Sequence, residues 1–168
     1  MAGKHHDLVD FTTKYKVALH EFFLDLNRWR KFKTRHKLDW QKKPFIEASK
    51  PDIPEERGIY VFTAELPNAK LPSHGYILYM GITGDTSEAT LNKRFNQYLL
   101  NLKNEDGRPA VYFMLKNWER HLQFNFVPLS NKSISLARIE RAFLGALIPP
   151  VNKRDLGAEI TAVKAATF

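Results

Sequence analysis

Apolar residues recur every three or four positions in three stretches of the chain, which is the spacing of a helix that buries one face. The first stretch, residues 8–34, contains neither proline nor glycine and predicts one long amphipathic helix. Residues 90–103 and 133–148 predict two further helices. The last helix begins after Ser133 or Ser135, because a serine hydroxyl can accept a hydrogen bond from the free N–H groups of a first turn.

Three shorter stretches are rich in β-branched and aromatic residues and predict strands, namely residues 58–66, 75–83 and 121–129. Residues 67–74 would join the first two strands as a hairpin. Residues 109–118 fit either a strand or a short helix, and the proline at their first position favours the helix.

This order of elements predicts an α/β fold in which a small three-stranded, mostly antiparallel sheet is flanked by helices, with an N-terminal helical extension. Three prolines among residues 44–56 indicate a connector. We therefore divide the chain into residues 1–54, which form the amphipathic helix and its connector, and residues 55–168, which form one compact domain.

The charge of the chain favours a polyanionic partner. The sequence contains 26 lysine and arginine residues against 18 acidic residues, a formal net charge of +8. A surplus of this size is more typical of nucleic-acid binding than of a charge that only maintains solubility. The absence of cysteine excludes disulfides and thiolate zinc sites and fits a cytoplasmic protein. No apolar run approaches the roughly 20 residues that span a bilayer, so we expect no membrane partner.

The positive charge is concentrated at residues 28–43, where Asp39 is the only acid. This density favours contact with a nucleic-acid backbone over a solvated helix end, because crowded like charges repel unless an anion offsets them. The candidate nucleic-acid-binding residues are Arg28, Arg30, Lys31, Lys33, Arg35 and, in the second predicted helix, Lys93.

Five residues have side chains suited to phosphodiester hydrolysis. Phenols can take part in proton transfer when their pKa is lowered, an arginine can bind non-bridging oxygens in a bidentate manner, and a carboxylate can hold Mg²⁺ or Mn²⁺. Taken singly, each side chain also has an ordinary structural interpretation, such as an ion-paired glutamate or a half-buried strand aromatic. The five are Tyr60, Tyr79, Arg94, Glu140 and Asn152.

Three segments, taken together, resemble the GIY-YIG nuclease superfamily. Gly58-Ile59-Tyr60 and Tyr79-Met80-Gly81 resemble the paired GIY and YIG strands that name the family. The segment TLNKRFNQYL resembles the family's first helix, in which a catalytic arginine is followed four residues later by an aromatic residue or histidine; here these are Arg94 and Tyr98. The segment IERAFLGALIPPVN resembles the helix that carries the glutamate, its terminating proline and an asparagine. The resemblance covers residues 57–155.

The resemblance implies a GIY-YIG-like fold and a metal-dependent endonuclease that hydrolyses phosphodiester bonds of DNA at a single active site, with double-stranded DNA as the expected form of the substrate. Tyr60 would be the general base or part of the relay that deprotonates water, and Tyr79 would support it and position the phosphate. Arg94 would stabilise the transition state. Glu140 would hold one Mg²⁺ or Mn²⁺ ion. The remaining two residues complete the implied site, with Asn152 bracing it by hydrogen bonds and Tyr98 contacting the scissile region.

Two features depart from the family pattern. Eighteen residues separate Tyr60 from Tyr79, where the family has about ten, so residues 67–74 would be an insertion. Many relatives carry a lysine just after the second motif, where this chain has Ile82. The cation beside the base is therefore unassigned, and the candidates are Lys93 and Lys70.

Several alternatives remain open. The chain could be a catalytically inactive nucleic-acid-binding module, or a nuclease that acts on RNA. A structure-selective or weakly specific enzyme is favoured over a restriction endonuclease that reads sequence with residues 67–74 and its N-terminal arm, because no zinc finger or helix-turn-helix is recognisable. One active site of this kind cuts one strand, so both a monomer and a homodimer are compatible with the sequence.

Overall fold

The computed structural model describes residues 22, 24–65, 72 and 75–152. This part of the chain is an α/β structure in which an antiparallel sheet is flanked by helices. The predicted three-stranded sheet is wrong in its count, because the described residues form four strands. In chain order the elements are α1 (Leu26–Lys31), β1 (Gln41–Pro44), a 3-10 helix (Glu47–Asp52), β2 (Gly58–Glu65), β3 (Gly75–Thr83), α2 (Leu91–Lys103), α3 (Pro109–Trp118), β4 (Leu122–Pro128) and α4 (Leu136–Leu147).

The strands lie in the order β1-β4-β2-β3, and every neighbouring pair is antiparallel. The three predicted strands are β2, β3 and β4 and are confirmed. The unpredicted strand, β1, has the sequence QKKP and pairs with β4, with Lys43 opposite Phe124. It has no alternation of apolar and polar side chains that could signal a strand, and it joins the edge of the sheet through backbone pairing with β4 and an ion pair between Lys42 and Glu65. Lysine and proline are typical of such edges.

The prediction of a single helix over residues 8–34 is wrong for the part of that range that the structure describes, residues 22 and 24–34. Asp25 has an extended backbone, with φ of −80° and ψ of 101°, and α1 begins only at Leu26. The Asp25 carboxylate accepts a hydrogen bond from the Arg28 N–H at 2.9 Å, so the side chain caps a new helix instead of continuing an old one. Residues 8–21 lie outside the described residues.

The helices predicted at residues 90–103, 109–118 and 133–148 are confirmed as α2, α3 and α4. Of the two serines considered for the start of α4, Ser135 is the cap, and its hydroxyl accepts a hydrogen bond from the Arg138 N–H. The predicted connector also contains regular structure, because a 3-10 helix lies within it. Phe45 and Ile53, on either side of that helix, are buried in the core. The division at residue 54 stays a prediction.

The sheet separates two apolar cores. Alternate residues of a strand point to opposite faces. Tyr60 and Phe62 therefore share one face, which α2 and α3 cover and which we call the tyrosine face. Ile59 and Val61 lie on the other, which we call the α4 face because α4 packs on it. No helix among the residues described is long and apolar enough to cross a membrane.

Candidate functional site

Three tyrosines from different elements meet on the tyrosine face. Tyr60 lies in β2, Tyr79 in β3 and Tyr98 in α2, and their exposed fractions are 2%, 5% and 5%. The hydroxyls of Tyr60 and Tyr98 are 2.8 Å apart and share a hydrogen bond. The ring centroid of Tyr79 is 6.2 Å from that of Tyr60 and 6.4 Å from that of Tyr98. We call these three residues the tyrosine cluster.

Glycines in both motifs allow close packing around β2, and one of them makes room for a cluster hydroxyl. Gly81 lies opposite Tyr60 in the sheet, and a Cβ atom at Gly81 would overlap the Tyr60 hydroxyl. A Cβ atom at Gly58 would overlap the backbone carbonyl of Val127 in β4. Both glycines are therefore explained by close packing around β2.

Burial raises the pKa of the Tyr60 hydroxyl well above its usual value near 10, and repulsion from the Tyr98 and Tyr79 phenolates raises it further. Burial also raises the pKa of Tyr98. The positive charge of Arg94 lowers both pKa values, but its effect is smaller. At neutral pH both groups are therefore neutral phenols, each able to donate or accept a hydrogen bond.

Arg94 is half-buried on α2, close enough to act electrostatically on Tyr60 and Tyr98. Its Nη1 atom donates to Oε1 of Gln97 at 2.7 Å. Its Nε atom is buried and has no hydrogen-bond partner in the described structure. A buried donor left in this state costs about 1–3 kcal/mol. A ligand oxygen could satisfy such a donor, so Arg94 has the chemistry of an anion-binding group.

Arg108 is a second cation at the cluster, and sequence reasoning did not identify it. It lies at the start of α3, where its Nη2 atom donates a hydrogen bond to the Tyr79 hydroxyl. Its Cζ atom is 5.4 Å from the centroid of the Tyr79 ring. No motif marks Arg108, and its position before Pro109 was the only signal in the sequence.

The two cations that the sequence suggested beside the base are placed differently. Lys93 is exposed, and its Nζ atom contacts the carbonyl oxygen of Glu88 at 3.5 Å. Lys70 lies outside the described residues. In this structure the cation in contact with a cluster hydroxyl is thus Arg108.

Asn152 holds the chain that follows α4 against the open edge of β3. The side chain is fully buried. Its Oδ1 atom accepts a hydrogen bond from the Met80 N–H at 2.9 Å, and its Nδ2 atom donates to the Met80 carbonyl at 2.8 Å. The Val151 N–H donates to the Leu78 carbonyl at 3.1 Å. Asn152 therefore pairs with the backbone between Tyr79 and Gly81 and acts as a positioning residue.

Glu140 approaches from the other side of the sheet. It is half-buried on α4, whose residues Ile139 and Phe143 pack into the core of the α4 face. The chain then turns around the edge of β3, and Val151 packs against the core of the tyrosine face. The structure thus brings Tyr60, Tyr79, Tyr98 and Arg94 together, joins Asn152 to them through β3, and places Glu140 on a helix of the opposite face.

A divalent ion at Glu140 would need few other protein ligands. No group of three or more histidine or acidic side chains that could enclose a metal is present in the part of the chain that the structure describes. Mg²⁺ commonly binds one or two carboxylates and takes its other ligands from water and substrate phosphates. A single carboxylate is a donor set that fits such an ion, so Glu140 remains the candidate ligand.

The candidate nucleic-acid-binding residues lie mainly on α1 and the segment after it. Their side chains are exposed, and Nε of Arg28 is 3.5 Å from the Asp25 carboxylate. The Asp25 N–H donates to the Ala146 carbonyl at 2.9 Å, which attaches α1 to the end of α4. This basic surface therefore lies against the α4 side of the molecule, while Lys93 is separate from it on α2.

A scan against protein-family models, a search of curated proteins and a search of solved structures each found no match. The features of the molecule that bear on its function are therefore the chemistry of the tyrosine cluster and the resemblance of its motifs.

Proposed function

We propose that the chain is a metal-dependent endonuclease of the GIY-YIG type that hydrolyses DNA phosphodiester bonds at the tyrosine cluster. The observation that carries this proposal is the convergence of three phenol hydroxyls with two guanidinium groups, Arg94 and Arg108, around positions that match the motifs of that family.

The two arginines would bind the phosphate. Phosphodiester cleavage builds negative charge on the non-bridging oxygens, and preformed donors directed at those oxygens lower the barrier. The Nε donor of Arg94 has no partner among the described residues, so a phosphate oxygen would satisfy it. Arg108 already donates to the Tyr79 hydroxyl and would supply a second positive charge beside the same phosphate.

Tyr60 would orient the attacking water and take its proton. The raised pKa of Tyr60 opposes this step, because burial disfavours the phenolate. Positive charge nearby offsets the effect, and Arg94 already acts in that direction. The hydrogen bond between the Tyr60 and Tyr98 hydroxyls can run either way, so Tyr98 could donate to a Tyr60 oxygen as it becomes negative.

When bound, a Mg²⁺ or Mn²⁺ ion at Glu140 would supply charge stabilisation for the phosphate and the leaving oxygen. Glu140 would hold it from α4, and Asn152 would keep the intervening chain fixed to β3.

The first test is cleavage of supercoiled plasmid with Mg²⁺, with Mn²⁺ and with EDTA. The variant Glu140→Ala should abolish cleavage and leave DNA binding largely intact, because the carboxylate would act on the metal and not on duplex affinity. The matched control is Glu119→Ala, which removes an exposed acid at the end of α3. Near-native turnover in Glu140→Ala would show that the metal assignment is wrong. The ratio of nicked to linear product would indicate whether one site or two act on each encounter.

The deep burial of the tyrosine cluster favours a second candidate function. Three phenols that are at most 5% exposed also suit a structural core in a nucleic-acid-binding module without turnover. If the wild type shifts DNA on a gel but cuts neither DNA nor RNA, this alternative is correct. If it cuts labelled RNA and leaves the matched DNA intact, the substrate assignment changes and the proposed chemistry stands.

A further inference from the structure

A groove of about 660 Å³ runs between the segment after α1 and the beginning of α4. We call it the basic groove. One wall consists of residues 32–36, and the other is formed by Ser133, Ser135 and Arg138. It lies apart from the tyrosine cluster, because its α4 wall belongs to the helix that packs on the opposite face of the sheet.

The basic groove collects positive charge that no described side chain neutralises. Among the described residues that line it, the ionisable side chains are Lys33, Arg35, His36 and Arg138, and none is acidic. None of the ion pairs found within the described residues involves any of these four side chains. The nearby acid Asp39 is paired with Lys37, whose Nζ atom is 2.8 Å from its carboxylate.

A second groove shows that this charge is not simply a consequence of the net charge of +8. That groove has a volume of about 590 Å³ and is lined by Glu55, Glu56, Asp85 and Glu88. Two basic side chains, Arg57 and Lys132, also line it, and Arg57 is held by Asp85 at 2.8 Å. Acidic side chains are therefore the majority of the ionisable groups that line this second groove, whereas the described lining of the basic groove contains none.

The walls of the basic groove are held in place by packing and hydrogen bonds. The Phe32 ring contacts the Phe143 ring edge-on, with a centroid distance of 5.9 Å, so the first wall is fixed to α4. Ser135 caps α4 and accepts a hydrogen bond from the Arg138 N–H. The cations are thus presented from an ordered framework, which reduces the entropy lost when they bind a ligand.

The wall of residues 32–36 follows α1 directly in the chain, and the basic residues Arg28, Arg30 and Lys31 of that helix are exposed. A single phosphate ion would use a compact cluster, whereas an extended row of cations matches a polymer with regularly spaced phosphates. We propose that the basic groove binds the phosphate backbone of DNA, with Arg138 and His36 as contacts in addition to Lys33 and Arg35. This proposal rests on the proposed function for its choice of DNA as the partner.

The test is fluorescence anisotropy with a labelled duplex in EDTA, over salt concentrations of about 50 to 200 mM. The double variant Lys33→Ala/Arg138→Ala should bind at least about tenfold more weakly. The slope of log K against log salt should fall by about 0.9 for each phosphate contact removed, or about 1.8 in total. The matched control is Lys103→Ala/Arg120→Ala, which removes the same charge outside either groove. The single variant Arg138→Lys, in which Lys33 is unchanged, should retain most of the DNA affinity.

An equal loss in the control variant, or unchanged binding in the groove variant, would overturn the proposal. A groove variant that loses binding to anionic vesicles while its DNA affinity is retained would also overturn it and would assign the groove to a lipid surface. Thermal unfolding of each variant shows whether the fold is intact, and charge reversal by Arg138→Glu replaces the double variant if that one does not fold.

A failure of the groove proposal can be distinguished from a failure of the nuclease proposal. If the wild type binds DNA through the groove and never cleaves it, the groove stands and the nuclease proposal fails. If it cleaves DNA and the groove variant binds as well as the wild type, the reverse holds. A wild type without measurable DNA affinity would overturn the groove proposal.

Discussion

The tyrosine face and the α4 face are made by alternate residues of the same strands, yet they bury different groups. On the tyrosine face, Tyr60 and Tyr79 bury hydroxyls that bond to Tyr98 and Arg108. On the α4 face, Ile59, Val61 and Met80 bury only apolar side chains.

Polar groups in a core must be hydrogen-bonded, and groups left without a partner are expensive. The tyrosine face contains such a group in the Nε donor of Arg94, which costs stability in the absence of a ligand. The α4 face has the opposite character, because its apolar packing stabilises the sheet on which the cluster stands. Stability and chemistry should therefore respond differently to substitutions on the two faces.

The largest effect should come from truncating one core residue on each face. Phe124→Ala removes a fully buried ring that stacks on Tyr60, with centroids 5.4 Å apart, and should cost about 3–5 kcal/mol of unfolding free energy. Ile59→Ala, on the α4 face, should cost about 2–5 kcal/mol. Under conditions where both variants are folded, only Phe124→Ala should lose cleavage. Urea unfolding and single-turnover cleavage measure the two quantities, and equal loss of cleavage in both would mean that cleavage depends on the packing beneath α4, which carries Glu140, as much as on the packing around the tyrosine cluster.

A smaller and more selective effect is expected for Arg94→Ala. The variant should reduce the cleavage rate about 10²–10³-fold, which is typical for the loss of one preformed donor to a transition-state oxyanion. Its unfolding free energy should change little, because the substitution also removes a buried donor without a partner. Lys103→Ala on the same helix is the control for charge. A variant that loses stability and keeps its rate would make Arg94 a structural residue of the tyrosine face.

The smallest effect concerns pH. Tyr60 and Tyr98 have raised pKa values in the folded state, so above pH of about 10 the unfolded chain releases protons that the folded chain retains. Their contribution to stability is therefore complete below pH 10, near the usual pKa of a phenol, and is lost as pH rises above it. Each tyrosine should contribute a slope of about 1.4 kcal/mol per pH unit.

At alkaline pH, Tyr60 and Tyr98 together should make the unfolding free energy of the wild type fall with pH. In Tyr98→Phe, where one of the two phenols remains, this contribution to the slope should be about half as large. Tyr60→Phe should give the same reduction, and it serves as the companion variant. At neutral pH, Tyr98→Phe should lose the hydrogen bond to Tyr60, worth about 0.5–1.5 kcal/mol. An alkaline slope that neither variant changes would show that the phenols titrate as exposed groups.

Elements with a strong local signal could be predicted from the sequence. The helices α2 and α4 follow from apolar spacing together with Thr90 and Ser135, which cap them. The strands β2, β3 and β4 follow from runs of β-branched and aromatic residues. Candidate side chains such as Tyr60 and Arg94 could be named because they stand at motif positions on those elements.

Elements that depend on distant partners could not be predicted in this way. The strand β1 has no apolar pattern and exists because its backbone pairs with β4. The start of α1 depends on Asp25, whose carboxylate caps the helix and whose N–H bonds to Ala146 far along the chain. Arg108 belongs to no recognisable motif. It could not be predicted as a site residue because its contact with Tyr79 joins the start of α3 to β3 and is made only in the folded protein.

The sequence by itself thus determined α2, α3, α4 and the strands β2, β3 and β4, because propensity, capping and alternation act between near neighbours. It also named the candidate side chains for hydrolysis by their chemistry and their resemblance to known motifs. Only the tertiary structure decided that Tyr60, Tyr79 and Tyr98 share one face while Glu140 stands on a helix of the other, and that Lys33 and Arg138 line one groove. These relations depend on how strands pair and helices pack over long sequence distances, where the burial of apolar surface and the pairing of backbone groups select the arrangement.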